Sequence, residues 1–354
     1  MKASMIGLDI AKSVFQVHGE DAGGEVVLQR RLRRSQVKDF FAKLAPARIG
    51  IEACGSAHYW GRELSALGHE VRLIPAAYVK PFVRRNKTDA RDAAAICAAL
   101  GRPDMRFVAI KSCDQQAARG LERSRDLLVR QHTQLMNSVR SQLAEFGLVA
   151  AQGRRGFAAL AAALAGDAAG IPALLVETLR LLVQQIDRLG VAIALLERQI
   201  VRAARRNPAM RRLMRIPGVG PLTAHAVVTA IDEGKQFGTA RDFAAWCGLT
   251  RRVDQSADKR RERGISRQGD NGVRKLLVLG ASALLRQRRA CPDRATAWQR
   301  GILARRPVKV AVVAQAARNA RIAWAMLRSG ASYRPAATAA TATTTAATTA
   351  TAAA

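Results

Sequence analysis

Acidic and aromatic side chains are what this sequence is short of. Its 58 Lys and Arg face only 27 Asp and Glu, a formal net charge of +31. So large an excess suits a polyanionic partner, with nucleic acid the first candidate. Aromatic residues make up 5% of the chain, which argues against base stacking as the main mode of binding. The five cysteines stand at 54, 97, 113, 247 and 291 with no CxxC pair, and the five histidines are scattered. A zinc site and a disulfide framework are both disfavoured, and each Cys is expected to be a small core residue in a reducing cytoplasm. No apolar run reaches the ~18 residues of a membrane span, and no signal-peptide pattern is seen, so a cytoplasmic protein without membrane contact is expected. What remains is 354 residues, 49% apolar, enough for two or three domains with cores.

The first hundred residues alternate strands and helices. Met5 to Ile10 places Ile6, Leu8 and Ile10 on one face and Gly7 and Asp9 on the other. Val14–His18 and Val26–Leu28 flank a Gly-rich turn and read as a hairpin. After a helix near 35–45, Ile49-Gly50-Ile51-Glu52 repeats the device of a glycine and an acid on one strand face. A helix at 57–67 and a strand at 71–74 follow, which implies a mixed or parallel sheet with helices on its faces. Next comes Arg84-Arg85-Asn86-Lys87-Thr88-Asp89-Ala90-Arg91-Asp92-Ala93, the start of an Ala-rich helix that ends near Gly101. Asp89 and Asp92 share a face of that helix. They could simply cap it and complement its dipole. They could equally join Asp9 and Glu52 around hard divalent ions, Mg²⁺ or Mn²⁺, which suit oxygen ligands and phosphoryl transfer. Arg84, Arg85 and Lys87 would draw nucleic acid to that place.

These blocks, Gly7-Leu8-Asp9-Ile10-Ala11-Lys12, the Glu52 strand and Lys87-Thr88-Asp89-Ala90-Arg91-Asp92-Ala93, resemble the RuvC-like DEDD domain of insertion-sequence family 110 (IS116/IS902-like) transposases. The resemblance implies an RNase H-like fold and assigns metal binding to Asp9, Glu52, Asp89 and Asp92.

The middle of the chain is helical. Leu121, Leu128 and Leu135 recur every seven residues. After a Gly/Ala-rich patch and Pro172, residues Leu175, Leu179, Leu182, Ile186, Leu189, Ile193, Leu196 and Ile200 form a seam with steps of four and three. Such a seam predicts a coiled coil or helical hairpin, the partner being either the first run folded back or, as preferred here, a second subunit.

In the last third, Ile216-Pro217-Gly218-Val219-Gly220-Pro221 looks like a helix-hairpin-helix turn, with Gly218 and Gly220 offering backbone N–H groups to a DNA phosphate. A packed hairpin with no DNA contact is the alternative. The segment Cys247 to Asp270 reads as a polar, cationic loop, and Arg251, Arg252 and Lys259 would attract phosphate. This block is similar to the C-terminal transposase domain of the same family. Alignment of Gly248-Leu249 in front and of Lys259 and Ile265-Ser266 behind implies that Ser256 is the catalytic serine, with Ser266 its rival. Ala257-Asp258 stand where the family pattern has Gly-Gly, and Arg263-Gly264 shift a further glycine by one.

The expected organisation is a RuvC-like α/β domain at 1–114 and a helical, coiled-coil region at 115–205. A mostly α C-terminal domain with a helix-hairpin-helix follows at 206–330, then a disordered Ala/Thr tail at 331–354. The resemblance implies a bacterial, nucleoid-associated homo-oligomer, dimeric or tetrameric, that cuts and rejoins DNA at insertion-sequence ends. A structured noncoding RNA would bridge element and target DNA. A serine needs activation, which the acid cluster could supply if both parts of the chain acted on one phosphate. The other readings are a junction-resolvase-like metal nuclease without a serine step, and a non-catalytic DNA-binding protein.

Overall fold

β-branched and aliphatic side chains at every second position build a five-stranded sheet. Its strands are β1 (Met5–Asp9), β2 (Val14–Glu20), β3 (Val26–Arg33), β4 (Arg48–Glu52) and β5 (Glu70–Ile74), in the order β3-β2-β1-β4-β5. The computed structural model describes residues 3–83, 88–166, 170–256 and 259–335. β1, β2 and β3 form an antiparallel meander. β1, β4 and β5 run parallel, with Leu8 opposite Ile51 and Glu52 opposite Ile74. The helices of this part are α1 (Val37–Ala42), α2 (Ala57–Ala66), α3 (Ala76–Val79) and α4 (Asp89–Leu100). Ile6, Leu8, Ile49 and Ile51 bury against Phe41 of α1 and Trp60 and Leu64 of α2. On the other face Ile74 packs with Ile96, Ala99 and Leu100 of α4. The sheet is thus covered on both faces, as its parallel half requires.

The chain divides into two compact units, Met1–Gln116 and Ala117–Ala354. The second is built from the remainder of α5 (Cys113–Ala144), then α6 (Arg154–Ala165), α7 (Ala173–Arg206), α8 (Pro208–Leu213), α9 (Pro221–Ile231) and α10 (Ala240–Trp246). A two-stranded hairpin, β6 (Arg251–Ser256) and β7 (Lys259–Ile265), precedes α11 (Asn271–Ala290), α12 (Ala297–Arg305) and α13 (Val308–Ser329). Gly330 ends α13 in a left-handed cap at φ 70°.

Three features differ from the sequence reading. The cationic loop is a hairpin. The Gly/Ala-rich patch contains α6. The heptad seam of α7 meets helices of its own chain: Leu179 and Ile186 share a core with Val139 and Leu143 of α5 and with Phe157, Leu160 and Leu164 of α6. Arg125 of α5 donates to Glu197 of α7 through Nε at 2.9 Å. Apolar side chains remain on the outside of α7, where Leu174 is 80%, Leu181 65% and Val191 62% exposed. The Ala/Thr tail from residue 336 lies outside the described residues, as do Arg84, Arg85 and Lys87.

Candidate functional site

Asp9 and Glu52 close β1 and β4, each one residue beyond the paired Leu8 and Ile51. Both therefore stand at the carboxyl edge of the parallel strands, where ligands bind in open α/β sheets. They belong to the face that carries Gly7 and Gly50, and α4 lies on that face. A Cβ on Gly7 would sit 2.1 Å from the Ala93 carbonyl oxygen and 2.6 Å from the Cys97 nitrogen. At Gly50 it would meet Ile96 and Leu100 side chains at 3.1 and 3.3 Å. The absence of side chains at these positions lets the helix backbone reach the sheet.

Gly101, at the end of α4, faces Met5 at the start of β1, while Ala93 and Cys97 face Gly7. The helix thus runs antiparallel to β1, and its first turn, with Asp89 and Asp92, points to the edge that holds Asp9 and Glu52. Thr88 caps this helix, its Oγ1 accepting from the Arg91 amide at 3.4 Å. Asp9, Glu52 and Asp92 are half-buried and Asp89 is exposed. Burial and then the carboxylates of Glu52 and Asp9 push the Cys54 thiol above its ordinary range, so both acids act on the same spot beyond the strand ends.

The donor chemistry fits a hard divalent cation, since all four groups are carboxylates. The spacing does not close into a site: among the described residues no three His, Cys, Asp or Glu side chains are grouped closely enough to hold a metal ion. Like charges repel, and four carboxylates draw together fully only around a compensating cation.

Ser256 is the last residue of β6, exposed, and paired across the hairpin with Lys259. Arg251 forms a pair with Glu262, and Arg263 Nε lies 2.6 Å from Asp254 Oδ2. Such exposed pairs contribute little to stability. Ser266 sits at the other end of the hairpin, half-buried, its amide donating to the Thr250 carbonyl at 2.8 Å. The base of the hairpin is held firmly: Arg274 Nη1 donates to the carbonyls of Cys247 at 2.9 Å and Gln268 at 2.8 Å. Ala257 and Asp258 lie outside the described residues.

Gly218 adopts φ 84° in the turn between α8 and α9. Its carbonyl faces Gly280 of α11, where a Cβ would come within 1.9 Å of it, and Asn319 Nδ2 donates to the Pro217 carbonyl at 3.0 Å. The first glycine of the turn thus has a packing role. Gly220 is exposed and precedes α9 without a side-chain cap, and Pro221 at the first helical position carries no N–H.

A cluster that sequence reasoning missed lies within the second unit. Glu122 of α5 accepts from Thr229 Oγ1 at 2.9 Å and from Arg119 Nη1 at 2.8 Å, and lies 2.6 Å from Nδ1 of the buried His225. Arg119 also bonds Asp270, which caps α11 by accepting from the Val273 amide at 2.9 Å. Arg119 and Glu122 are three apart and His225 and Thr229 four apart, but no spacing signal links α5, α9 and Asp270. Among the described residues no helix is long and apolar enough to cross a membrane.

Comparison with known proteins identifies the family. Residues 6–147 match a family model for the DEDD transposase domain of IS110, and residues 210–296 match the model described as "Transposase IS116/IS110/IS902 family". A protein of Pseudomonas aeruginosa named "Probable family 20 transposase" is 48% identical over 339 residues, 95% of this chain and 100% of its own length. The transposase for insertion sequence element IS1111A of Coxiella burnetii is 38% identical, covering 93% of this chain and 91% of its own. That for element IS1328 of Yersinia enterocolitica is 36% identical over 92% and 97%. The chain therefore belongs to the IS110/IS116/IS902 family of DNA transposases.

Proposed function

We propose that this transposase cuts and rejoins DNA at insertion-sequence ends through a covalent serine intermediate. Ser256 Oγ attacks a phosphodiester, forming a Ser–O–P bond and releasing the 3′ or 5′ hydroxyl of the cleaved strand. Attack of a second strand's hydroxyl then reverses the step, so the bond energy is kept for rejoining. Arg251, Arg252 and Lys259 steady the charge that develops on the phosphate. Asp9, Glu52, Asp89 and Asp92 would hold a divalent ion, Mg²⁺ or Mn²⁺. Such an ion, when bound, polarises the phosphoryl oxygens and favours the deprotonated nucleophile. The observation that carries the serine reading is the position of Ser256, exposed at the end of β6 opposite Lys259, while Ser266 is half-buried at the hairpin base.

The mixed sheet with helices on both faces supports the RNase H-like assignment of the first unit. The exposure of Gly220 at the start of α9 supports a DNA-backbone contact for the α8–α9 turn. Exposed Leu174, Leu181 and Val191 on α7 support pairing between copies, as a dimer or tetramer. A structured noncoding RNA guide rests on the family resemblance, and the charge of +31 suits RNA as well as DNA.

Adduct trapping tests the mechanism. The protein is incubated with element-end DNA, flanking noncoding RNA and Mg²⁺, then denatured and examined for a protein–DNA band. An adduct lost in both Ser256→Ala and Asp9→Ala is expected. Cleavage without adduct, lost only in Asp9→Ala, would replace the serine step by a metal nuclease; DNA binding without cleavage would leave a DNA-binding protein.

A further inference from the structure

Beside the acid edge, on the opposite face of the sheet from α4, the first unit has a concavity of about 760 Å³ lined by Lys12, Arg33, Arg34, Lys38, Tyr59 and Trp60, with Ser13 and Ser35 between them. We propose that it is a subsite for one unpaired nucleotide of a nucleic-acid strand, the phosphate held by Lys12, Arg33 and Arg34 and the base laid against Tyr59. The proposal rests on the reading that the first unit acts on nucleic-acid phosphates, and it names where the strand flanking the reacting phosphate goes.

Four arguments carry it. The first is position. Lys12 follows Asp9 by three residues and Tyr59 follows Glu52 by seven, so both walls grow from the strand ends that bear the acids. The second is charge. The four Lys and Arg side chains of the hollow are cationic, and Lys38 is drawn off by an ion pair with Glu63.

The third is preorganisation. The Arg34 guanidinium lies 5.3 Å from the Trp60 ring centre and 5.6 Å from that of Phe15, which fixes its direction while leaving the residue exposed. The Arg34 amide donates to the Ser13 carbonyl at 2.9 Å, which ties the two basic walls together, and the Arg33 amide donates to Gln36 Oε1 at 2.9 Å within its own turn.

The fourth is the aromatic. In a chain with 5% aromatic residues, Tyr59 keeps 37% of its surface exposed in this basic hollow, next to Trp60 at 5.2 Å between ring centres. An exposed ring among cations is the pattern that stacks an unpaired base, because every base offers a π face. The volume falls in the range of about 300–1,000 Å³ that takes a small-molecule-sized group. It cannot admit a duplex, whose bases are already stacked.

The test is photocrosslinking with the full-length protein. Single-stranded DNA and single-stranded RNA carrying 5-iodouracil are bound in EDTA, irradiated, and the adduct is mapped by peptide mass spectrometry. An adduct on Tyr59 is expected, and the nucleic acid with the higher yield identifies which strand occupies the hollow. Lys12→Ala combined with Arg33→Ala should lower that yield about tenfold, and Tyr59→Phe should retain it. Thermal melting of each variant against wild type separates loss of binding from loss of fold. No adduct at Tyr59, an undiminished adduct in the folded double variant, or equal labelling from duplex DNA would overturn the proposal. Since EDTA prevents metal-dependent cleavage, this result is independent of whether the acids and Ser256 perform the chemistry.

Discussion

Replacing Gly7 by Ala tests whether the contact between α4 and β1 positions the acids. The added methyl carbon would lie 2.1 Å from the Ala93 carbonyl oxygen, 2.6 Å from the Cys97 nitrogen and 3.0 Å from the Cys97 Cβ. Two of these neighbours are backbone of a single helix, so no side-chain rotation relieves the clash. An ordinary carbon–oxygen contact is about 3.3 Å, so α4 must withdraw by about 1 Å. Overpacking of this kind costs about 1–3 kcal/mol, and a backbone neighbour places Gly7→Ala at the upper end. Gly50→Ala meets only side chains of Ile96, Leu100 and Ile74 at 3.1–3.4 Å and should cost less. The functional effect should exceed the loss of stability. On the proposed assignment of the four acids to a metal ion, ligand distances must hold within about 0.2 Å, and a shift of ~1 Å moves Asp89 and Asp92 relative to Asp9 and Glu52. Misplacement by ~1 Å can cost about a hundredfold in rate. Urea denaturation would give the stability, and Mg²⁺-dependent cleavage of element-end DNA, measured where each variant is fully folded, would give the rate. A Gly7→Ala protein that is as stable as wild type, or that is destabilised yet cleaves at the wild-type rate, would refute the argument.

Three further outcomes follow from the buried groups. Glu122→Ala removes the acceptor shared by Arg119, His225 and Thr229, and should destabilise the second unit by about 1–3 kcal/mol in urea unfolding, because the buried His225 Nδ1 loses its partner while Arg119 keeps Asp270. Cys97 is fully buried, and burial, with the nearby Glu20 carboxylate, pushes its thiol up to about 12. At pH 8 iodoacetamide should therefore label the exposed Cys113 and Cys291 and leave Cys97 unlabelled until the protein unfolds, as read by peptide mass spectrometry. The folded-state pKa is raised, so the unfolded thiol ionises first. Stability linked to Cys97 is thus intact below pH ~9 and declines by about 1.4 kcal/mol per pH unit between there and ~12.

Much of the first unit was legible because its strands bury one face and alternate strictly. Ile6 and Leu8, and Ile49 and Ile51, announce their partners beneath the sheet, and Gly7-x-Asp9 and Gly50-x-Glu52 announce the opposite face. The hairpin of β6 and β7 was illegible for the converse reason: among the described residues from Arg251 to Gly264 nearly every side chain is exposed, so no apolar period exists to betray a strand. α6 was hidden by alanine, which fits a helix well but leaves a faint apolar stripe of Phe157, Leu160 and Leu164. The seam of α7 was plain in sequence, whereas the identity of its partner was not, because a heptad gives the shape of a contact without naming the chain that supplies it. The Glu122 cluster depends on tertiary folding alone.

The mutual approach of Gly218 and Gly280 has an evolutionary side. A Cβ at either position collides with the other's backbone carbonyl, at 2.9 Å from Gly218 and 1.9 Å from Gly280. A clash between two side chains can be relieved by shrinking the partner, but here the partner has nothing left to lose. In a library of random substitutions the two sites would behave as one indivisible locus, 62 residues apart, at which no second change rescues the first. Drift among relatives of this chain should therefore pass around this pair, and recombination between them should keep both glycines or fail.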